Sequence, residues 1–486
     1  ENFTTIVWFR QDLRLSDNPA LMHACQQGSV LPVYILDDVN ADPWTMGGAS
    51  RWWLHHSLTA LSESLDNRLL VLNGDPLELL PGLQQASGAQ CVVWNRCYEP
   101  WRIRRDKALK ESLRDKGVQV ESFNASLLWE PWQVLKEDQT PYRVFTPFFR
   151  KGCVRAGEPA QPASAPASIQ YAYDSNVDLP GFPLQKLTGP AGIDALQLLP
   201  RIAWHTTMQA TWQTGESAAQ QRLDEFLSAG LQGYREGRNF PQRRNVSRLS
   251  PHLHFGEISP RQAWYAARAA GSAAAAENDL DTFLAELGWR EFSYSLLFNN
   301  PELPHKAIQQ RFDHFPWTSD PALLTAWQRG QTGYPLVDAG MRELWATGYM
   351  HNRVRMVTGS FLVKNLLQHW HDGEAWFWDC LVDADLASNS ASWQWIAGCG
   401  ADAAPYFRVF NPVTQSEKFD ADGDYIRRYV PELAGLPAKH IHAPFKAPAN
   451  VLAAAGVRLG ENYPLPVVDL KESREAALLA FKATQG

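Results

Sequence analysis

The spacing of hydrophobic positions changes along the chain and divides it into two parts. Up to about residue 125, short apolar runs alternate with longer amphipathic stretches. The runs predict strands, and the stretches between them predict helices. The predicted strands cover residues 5–9, 30–36, 69–72, 91–94 and 118–123. Strands and helices that alternate in this way are typical of a Rossmann-like α/β domain with a five-stranded parallel sheet.

Two helix ends in this first part are marked by local signals. Asn18 precedes Pro19, which is the usual order of a helix cap and a first helical residue, and Gly117 closes a later helical pattern. No G-x-G-x-x-G follows the first strand, so a standard dinucleotide-binding fingerprint is missing. We therefore expect the main cofactor to bind elsewhere in the chain.

The composition changes between residues 131 and 200. Ten of the 32 prolines fall there, and QPASAPAS at 161–168 is low in complexity. This favours a long connector over the surface rather than a third domain. From residue 201 the apolar spacing is helical and predicts an all-α domain. The expected organisation is an α/β domain over 1–130, an interdomain connector over 131–200 and a helical domain over 201–486.

Charge narrows the classes of partner. The net charge is −7, so a polyanion such as DNA would need a local basic surface. Five arginines lie within fourteen residues that contain one acidic residue, Glu236. They are Arg235, Arg238, Arg243, Arg244 and Arg248. The alternative is an ordinary solvated arginine surface.

Cysteines and apolar runs indicate the cellular setting. Six cysteines show neither C-x-x-C spacing nor the density of a disulfide framework, and no paired Cys/His set suggests a metal site. The chain has no run of about 18 apolar residues and no basic leader followed by an apolar segment. We expect a monomeric, metal-free cytoplasmic protein without membrane contact.

Two segments of the helical part each place polar, charged and aromatic side chains on one strip. With the i, i+3, i+4, i+7 spacing of a helix face, the first strip consists of Glu286, Trp289, Arg290 and Ser293. The second consists of Asn352, Arg353 and Met356. Such strips suit a flat heteroaromatic ligand, because their groups can bond base edges and stack on base faces. The alternative is a bundle helix with a solvated edge.

Three longer motifs accompany these strips: NVSRLSPHLHFGEISPRQ at 245–262, TGYPLVDAGMRELWATG at 332–348 and DADLASNSASWQW at 383–395. With them, the chain resembles the photolyase/cryptochrome family of flavoproteins from Thr5 to about Leu470. The resemblance implies that the helical domain binds FAD. It also implies light-driven repair of cyclobutane pyrimidine dimers in DNA, by electron transfer from reduced FAD to a flipped-out lesion. On DNA, such a protein would be nucleoid-associated.

The resemblance assigns two groups of residues to FAD. Hydroxyls, amides and a guanidinium before a helix suit a pyrophosphate, and the family uses this stretch for it. The phosphate group consists of Tyr234, Ser247, Arg248, Leu249 and Ser250. Val246 stands where the family often has threonine. The flavin group consists of Phe283, Arg290, Arg355, Asp383, Asp385 and Asn389. Asn389 matches the catalytic residue beside flavin N5, and asparagine there resembles the repair enzymes rather than cryptochromes.

The resemblance also assigns a lesion cavity and an electron path. The cavity residues are Glu286, Trp289, Ser293, Asn352, Arg353, Met356, Trp395 and Gln415. Glu286 is the expected catalytic residue, because a protonated carboxyl can donate a hydrogen bond to the reduced lesion. The tryptophans that match the family's electron path from the flavin to the surface are Trp393, Trp370 and Trp317.

Within the family, SPHLHFGEIS at 250–259 and the closing segment at 447–470 look most like plant cryptochromes and bacterial class III photolyases. We expect a class III cyclobutane-dimer photolyase. That branch implies an antenna chromophore, most often 5,10-methenyltetrahydrofolate, contacted by Glu99; a deazaflavin or an empty site is also compatible. The alternative function is a cryptochrome-type blue-light photoreceptor that signals through a protein partner. A flavin oxidoreductase would need a nicotinamide site, which the sequence lacks.

Overall fold

A single parallel sheet organises the first part of the chain in the computed structural model, which describes residues 2–406 and 408–485. Its strand order is β3-β2-β1-β4-β5. The strands are β1 Thr4–Phe9, β2 Ser29–Leu36, β3 Leu70–Asn73, β4 Cys91–Asn95 and β5 Gln119–Phe123. Every strand end lies within one residue of its predicted position. The predicted Rossmann-like sheet is therefore confirmed.

Helices cover both faces of this sheet. They are Pro19–Gln27, Gly48–Ser64, Pro76–Ser87 and Pro100–Asp115. Val7 and Phe9 of β1 pack with the first two helices, whereas Ile6 and Trp8 pack with the last two. Alternate residues of one strand thus enter two separate cores, which explains why the strand sequences read as continuous apolar runs.

The predicted helix signals act as expected. The side chain of Asn18 accepts a hydrogen bond from the Leu21 amide, with Pro19 as the first helical residue. Gly117 has a φ of 76°, which is the left-handed conformation that ends a helix.

The stretch from 131 to 200 contains only short elements. They are the 3-10 turn Pro131–Gln133, the helical turns Phe145–Pro147 and Val154–Ala156, the π-helix Phe148–Cys153, the ribbon strands Asp178–Leu179 and Phe182–Pro183, and the helices Leu184–Leu187 and Gly189–Asp194. Phe145 and Phe148 are buried against helix Glu277–Asn299. The connector therefore also contributes side chains to the helical core. The domain limits stay a prediction.

From residue 201 the chain is helical, as predicted. The α-helices of five residues or more are Thr206–Thr211, Glu216–Ala229, Ser250–His254, Pro260–Ala273, Glu277–Asn299, Pro321–Gln328, Pro335–Thr347, Asn352–Ser360, Trp370–Cys380, Leu386–Ala397, Pro412–Phe419, Asp424–Tyr429, Ala449–Ala454 and Leu470–Lys482. Shorter elements are Tyr234–Gly237, Gln310–His314, Phe361–Asn365, Pro431–Leu433, Ala438–Ile441 and Pro444–Lys446. Within the described ranges, none of the helices combines the length and apolar character that crossing a bilayer requires.

The motif at 245–262 lies where the two domains meet. Gly256 has a φ of 70°, and a Cβ added there would lie 2.0 Å from the Gln11 carbonyl oxygen. Arg14 of the α/β domain donates to the Gly256 carbonyl at 3.0 Å. Only glycine combines this backbone conformation with such a close approach. The motif is thereby fixed between the sheet domain and the helical domain.

Candidate functional site

Two buried carboxylates lie between helices Trp370–Cys380 and Leu386–Ala397. Asp383 accepts hydrogen bonds at Oδ2 from Arg355 at 2.8 Å and from the Ser250 hydroxyl at 2.6 Å. Asp385 caps the second helix, because its Oδ2 accepts from the Ser388 amide at 2.8 Å. The structure thus joins Ser250, Arg355, Asp383 and Asp385, which are four of the residues predicted to bind FAD.

Asp385 is held in its ionised form. Burial alone would raise the pKa of this carboxyl, but hydrogen bonds from His254, Tyr294 and the Ser388 amide lower the pKa well below its ordinary value. The ionised Asp385 carboxylate therefore lies at the N-terminus of the helix that carries Asn389, where it interacts favourably with the helix dipole.

One carboxylate oxygen of Asp383 lacks a hydrogen-bond donor. Its Oδ1 is buried, yet it accepts no hydrogen bond from any residue that the structure describes. A buried carboxylate oxygen without a donor is costly, so a bound molecule with an N–H group would satisfy it. The isoalloxazine ring of FAD carries such a group. Asn389, also buried, donates to the Glu374 carbonyl at 3.0 Å, and this bond fixes the orientation of its amide.

The predicted phosphate segment leads into helix Ser250–His254. Arg248 has a φ of 53°, which is unusual for a residue with a side chain. Its guanidinium lies 5.0 Å from the centre of the Tyr349 ring and 5.8 Å from that of Trp212. The hydroxyl of Ser247 accepts from the Leu249 amide at 3.3 Å. This strained turn carries a hydroxyl and a guanidinium on adjacent residues, and both are groups that can bind a pyrophosphate.

Three residues predicted to bind FAD have other contacts in the structure. Tyr234 and Phe283 are buried and pack edge to face, with ring centres 5.6 Å apart. Arg290 donates to the Ser126 carbonyl at 2.8 Å and to Glu291 at 3.2 Å. These bonds tie Arg290 to the α/β domain, so its direct contact with FAD stays a prediction.

The first polar strip lies on helix Glu277–Asn299. Glu286 is half-buried and forms an ion pair with Arg238. Trp289 stacks on Phe145 of the connector, with ring centres 3.9 Å apart and planes 12° apart. Burial raises the pKa of Glu286, while the Arg238 guanidinium partly offsets that rise. The expected apolar pocket around Glu286 therefore also contains an arginine, which sequence reasoning missed because 48 positions separate the two residues.

The second polar strip meets the first through a pair of neighbouring residues. Arg353 donates to the side chain of Asn239 at 2.8 Å, and Asn239 follows Arg238 in the chain. The Arg353 guanidinium also lies 4.5 Å from the centre of the Phe419 ring. Asn352 and Met356 face each other one turn apart, with Nδ2 3.9 Å from Sδ. Residues 238 and 239 thus join the two predicted strips.

The other residues predicted to line the lesion cavity are Ser293, which belongs to the first strip, and Trp395 and Gln415, which lie on other helices. Ser293 donates to the Trp289 carbonyl at 2.9 Å. Trp395 is half-buried on the helix that also carries Asn389 and Trp393. The Oε1 of Gln415 is buried and accepts no hydrogen bond from the described part of the chain. A ligand donor could therefore satisfy Gln415 as well.

The three tryptophans of the predicted electron path differ in burial. Trp393 and Trp370 are 3% and 2% exposed, whereas Trp317 is partly exposed. A Cβ added to Gly373 would lie 2.2 Å from the Trp393 ring, so this ring packs directly on the backbone of helix Trp370–Cys380. Gly373 lies one turn after Trp370. The glycine thus lets the Trp393 ring pack against the helix that begins at Trp370.

A second cavity lies between the sheet domain and the helical domain. It encloses about 740 Å³, including space open to solvent, and its lining residues include Arg10, Trp44, Glu99 and Arg105. Glu99 is buried and accepts from Gln11 at Oε1. Its Oε2 is buried and forms an ion pair with Arg102, whose Nε lies 3.5 Å away. The indole Nε1 of Trp44 is buried and has no hydrogen-bond partner among the described residues. This mixture of aromatic and unsatisfied polar groups suits a heteroaromatic ligand.

One short segment lies between this cavity and the predicted FAD site. In this segment the residues alternate: Ala384 and Leu386 line the second cavity, whereas Asp383 and Asp385 form hydrogen bonds with residues of the helical domain. His254 also lines the second cavity, and its Nδ1 lies 3.4 Å from the Asp385 carboxylate. Residues 383–386, which we call the partition, therefore contact both sites.

Comparison with known proteins identifies the fold. Residues 5–167 match the profile described as DNA photolyase, and residues 283–483 match the FAD binding domain of DNA photolyase. The chain is 49% identical to the deoxyribodipyrimidine photo-lyase of Agrobacterium fabrum, over 99% of this chain and 98% of that one. The chain belongs to the DNA photolyase family. Its helical domain is the FAD-binding domain of that family.

Two further comparisons place the chain within the family. A class III photolyase structure from Agrobacterium tumefaciens superposes with a TM-score of 0.93 at 49% identity, and the match covers 100% of this chain and 98% of that one. Cryptochrome-2 of Arabidopsis thaliana is 38% identical over 99% of this chain and 79% of its own length. The predicted resemblance to bacterial class III photolyases is confirmed, and the plant cryptochrome is a more distant relative. In the described ranges, no three His, Cys, Asp or Glu side chains cluster as a metal site would require.

Proposed function

We propose that this protein uses light to repair cyclobutane pyrimidine dimers in DNA, as a deoxyribodipyrimidine photo-lyase with FAD as its electron donor. The observation that carries the proposal is the junction of the two polar strips at Arg238 and Asn239. It brings a carboxyl, two guanidinium groups and stacked rings together in one domain. This domain also contains the buried, unsatisfied carboxylate of Asp383.

The residues present fit FAD at two places. The strained turn at Ser247 and Arg248, together with Tyr234, would hold the phosphates, and Arg355, Asp383, Asp385 and Asn389 would surround the ring. Reduced FAD, when bound, supplies the light-excited electron. The ion pair of Arg355 with Asp383 fixes one carboxylate oxygen and leaves the other free for a ring N–H. The protein's part here is to bind and orient the ring.

The lesion would enter the cavity beside helix Glu277–Asn299. A dimer is already poorly stacked in the duplex, so its extrusion costs less than that of a normal base pair. Trp289 and Trp395 would pack on its apolar faces, and Arg353 would contact a phosphate. After the lesion accepts an electron, its carbonyl oxygens carry negative charge while the two bonds between the pyrimidines break. A protonated Glu286 would donate a hydrogen bond to that charge.

The rival function is a blue-light receptor that binds FAD and signals to a protein partner. Glu286 and the cavity around it favour repair, because signalling alone requires no base-binding residues there. Illumination of the purified, reduced protein with a dimer-containing oligonucleotide discriminates the two functions. Repair predicts restored thymines after light and none in the dark. A protein that binds FAD but restores no thymines under light would be a receptor.

The second cavity would hold the antenna chromophore. Glu99 and the Trp44 ring, whose indole N–H has no partner among the described residues, favour a pteridine such as 5,10-methenyltetrahydrofolate, and a deazaflavin is the alternative. The absorption spectrum of the purified protein distinguishes them. A monomeric state, independence of metals and a cytoplasmic, nucleoid-associated location also stay predictions.

Binding to lesion DNA is expected to weaken steeply with salt, because each phosphate contact releases counterions. Arg243 is exposed and packs on Phe240, with its guanidinium 3.9 Å from the ring centre. Arg243→Gln should weaken binding to all sequences and reduce the slope of log K against log salt by about 1. Arg458→Gln removes an exposed arginine that is paired with Glu461, and this control should leave the slope unchanged. An equal slope for wild type and Arg243→Gln would remove Arg243 from the DNA surface.

Retention of FAD is expected to depend on Asp383. Asp383→Asn keeps the shape of the side chain but loses the charge that pairs with Arg355 and accepts from a ring N–H. A hydrogen bond to a charged group contributes about 1.5–3 kcal/mol, so the affinity for FAD should fall about 10–100-fold. Titration of the FAD-depleted protein measures this affinity. Asp422→Asn, at an exposed position, is the matched control, and equal FAD affinity in both variants would contradict the role of Asp383.

A further inference from the structure

A histidine contacts two of the three tryptophans on the proposed electron path. The ring centre of His369 lies 5.0 Å from that of Trp317 and 5.6 Å from that of Trp370. The angles between ring planes are 48° and 34°. His369 therefore bridges the buried tryptophan and the partly exposed one. Neither the strips nor the family motifs drew attention to it, although HWHD at 369–372 is a visible signal.

The backbone fixes both the orientation and the protonation state of this ring. His369 caps helix Trp370–Cys380, because its Nδ1 accepts a hydrogen bond from the His371 amide at 2.9 Å. An Nδ1 that accepts a hydrogen bond carries no proton, so the neutral ring carries its proton on Nε2. A second proton on Nδ1 would break this cap and place a positive charge at the positive end of the helix dipole.

The surroundings also favour the neutral ring. Burial, together with the neighbouring His371, lowers the pKa of His369 to about 4. The titratable and charged groups around this stretch are His371 and Asp372 on the same helix, His305, and Asp320, whose amide bonds to the Gln368 side chain. Burial likewise lowers the pKa of His371. At neutral pH the two tryptophans are therefore bridged by an uncharged aromatic ring.

We infer that His369 is a positioning residue of the electron path: its neutral, cap-oriented ring carries the coupling between Trp317 and Trp370. The inference rests on the proposed FAD-dependent function and on the tryptophan path that the family resemblance predicts. In the step concerned, one electron passes from Trp317 to oxidised Trp370, so Trp370 becomes neutral and Trp317 becomes a cation radical. No proton moves to His369, and a thiol reductant in solution then donates an electron to Trp317.

Neutrality matters because the path carries positive charge outward. An imidazolium about 5 Å from both tryptophans would repel that charge at either position, and the repulsion is weakly screened inside a protein. An uncharged ring fills the space between the tryptophans without this repulsion. The cap that orients His369 thus also removes an electrostatic barrier.

Two substitutions separate bridging from capping. His369→Asn keeps a good capping side chain but removes the ring, whereas His369→Phe keeps a ring and removes the cap. The experiment uses the full chain loaded with oxidised FAD, with transient absorption to follow the Trp370-to-Trp317 step and thermal unfolding to follow the cap. We expect His369→Asn to slow the step several-fold with little change in Tm. We expect His369→Phe to lower Tm while the step stays close to the wild-type rate.

A dark measurement tests the protonation state independently of light. Nitrogen chemical shifts of labelled histidine distinguish the Nε2–H form from the Nδ1–H and doubly protonated forms, and His369→Asn identifies the signal. The inference predicts the Nε2–H form at neutral pH. A doubly protonated His369, or a His369→Asn variant that transfers charge as fast as wild type, would overturn the inference and leave the repair function standing. Absence of any tryptophan radical in the wild-type protein would overturn the whole path.

Discussion

Replacing Trp393 by phenylalanine is expected to abolish the light-driven reduction of oxidised FAD. Phenylalanine fills most of the same space against Gly373, but its ring is far harder to oxidise, so it cannot pass the first electron to the flavin. The measurement is the loss of the oxidised-flavin absorbance under blue light with a thiol reductant present. Repair by chemically reduced protein should remain, because that reaction needs no electron from tryptophan.

Trp327 supplies a matched control for Trp393. It is fully buried, its ring centre lies 6.1 Å from that of Trp393, and its indole N–H donates to the Thr358 carbonyl at 3.0 Å. Trp327→Phe therefore perturbs the same core without interrupting the proposed path. Flavin reduction should survive in this variant. If Trp393→Phe reduced its flavin at the wild-type rate, electrons would have to reach the flavin by another route.

Loss of the Glu286 carboxyl is expected to lower the repair yield per absorbed photon while lesion binding persists. Removal of one hydrogen-bond donor to a developing negative charge slows a reaction by about 10²–10³-fold. Bond breaking in the reduced lesion competes with return of the electron to the flavin. The repair yield in Glu286→Ala should therefore fall by a smaller factor than the rate of bond breaking. Single-turnover flashes on dimer-containing oligonucleotide measure this yield, and an unchanged yield would exclude Glu286 from the chemistry.

The pH dependence of the yield gives Glu286 a second test. Burial raises the pKa of this carboxyl above its ordinary value, and only the protonated form can donate a hydrogen bond. The wild-type yield should therefore be highest at low pH and fall as pH rises through that pKa. Glu286→Gln carries a permanent N–H donor, so its yield should not follow this profile. A parallel decline in Glu286→Gln would assign the pH dependence to another group.

The sequence predicted the features that local chemistry determines. The strands of the sheet alternate with helices because apolar runs and capping residues repeat within short windows, and Asn18 acts as a cap for the same reason. Arg355 and Asp383, which form an ion pair, were also expected in one group, although only through the family resemblance. Features that depend on residues within one helix or one motif can thus be predicted from the sequence.

The features that sequence reasoning missed depend on contacts between distant segments. Arg238 reaches Glu286 across 48 positions, and Phe145 comes from the connector to stack on Trp289. Arg290 has the right spacing to face a ligand, yet it bonds to the Ser126 carbonyl of the other domain. No periodicity within a helix encodes these partners, because they are chosen by how the connector and the two domains pack.

The partition at residues 383–386 limits how the two cofactor-binding sites can change in evolution. Ala384 touches the second cavity, while Asp383, its neighbour, bonds to Arg355 and offers its free oxygen to the flavin site. A substitution that enlarges the second cavity near Ala384 would shift the same backbone that holds the Asp383 carboxylate. A descendant that adopts a bulkier light-harvesting pigment would therefore have to compensate with a second change near Arg355, so the two chambers are expected to diversify together.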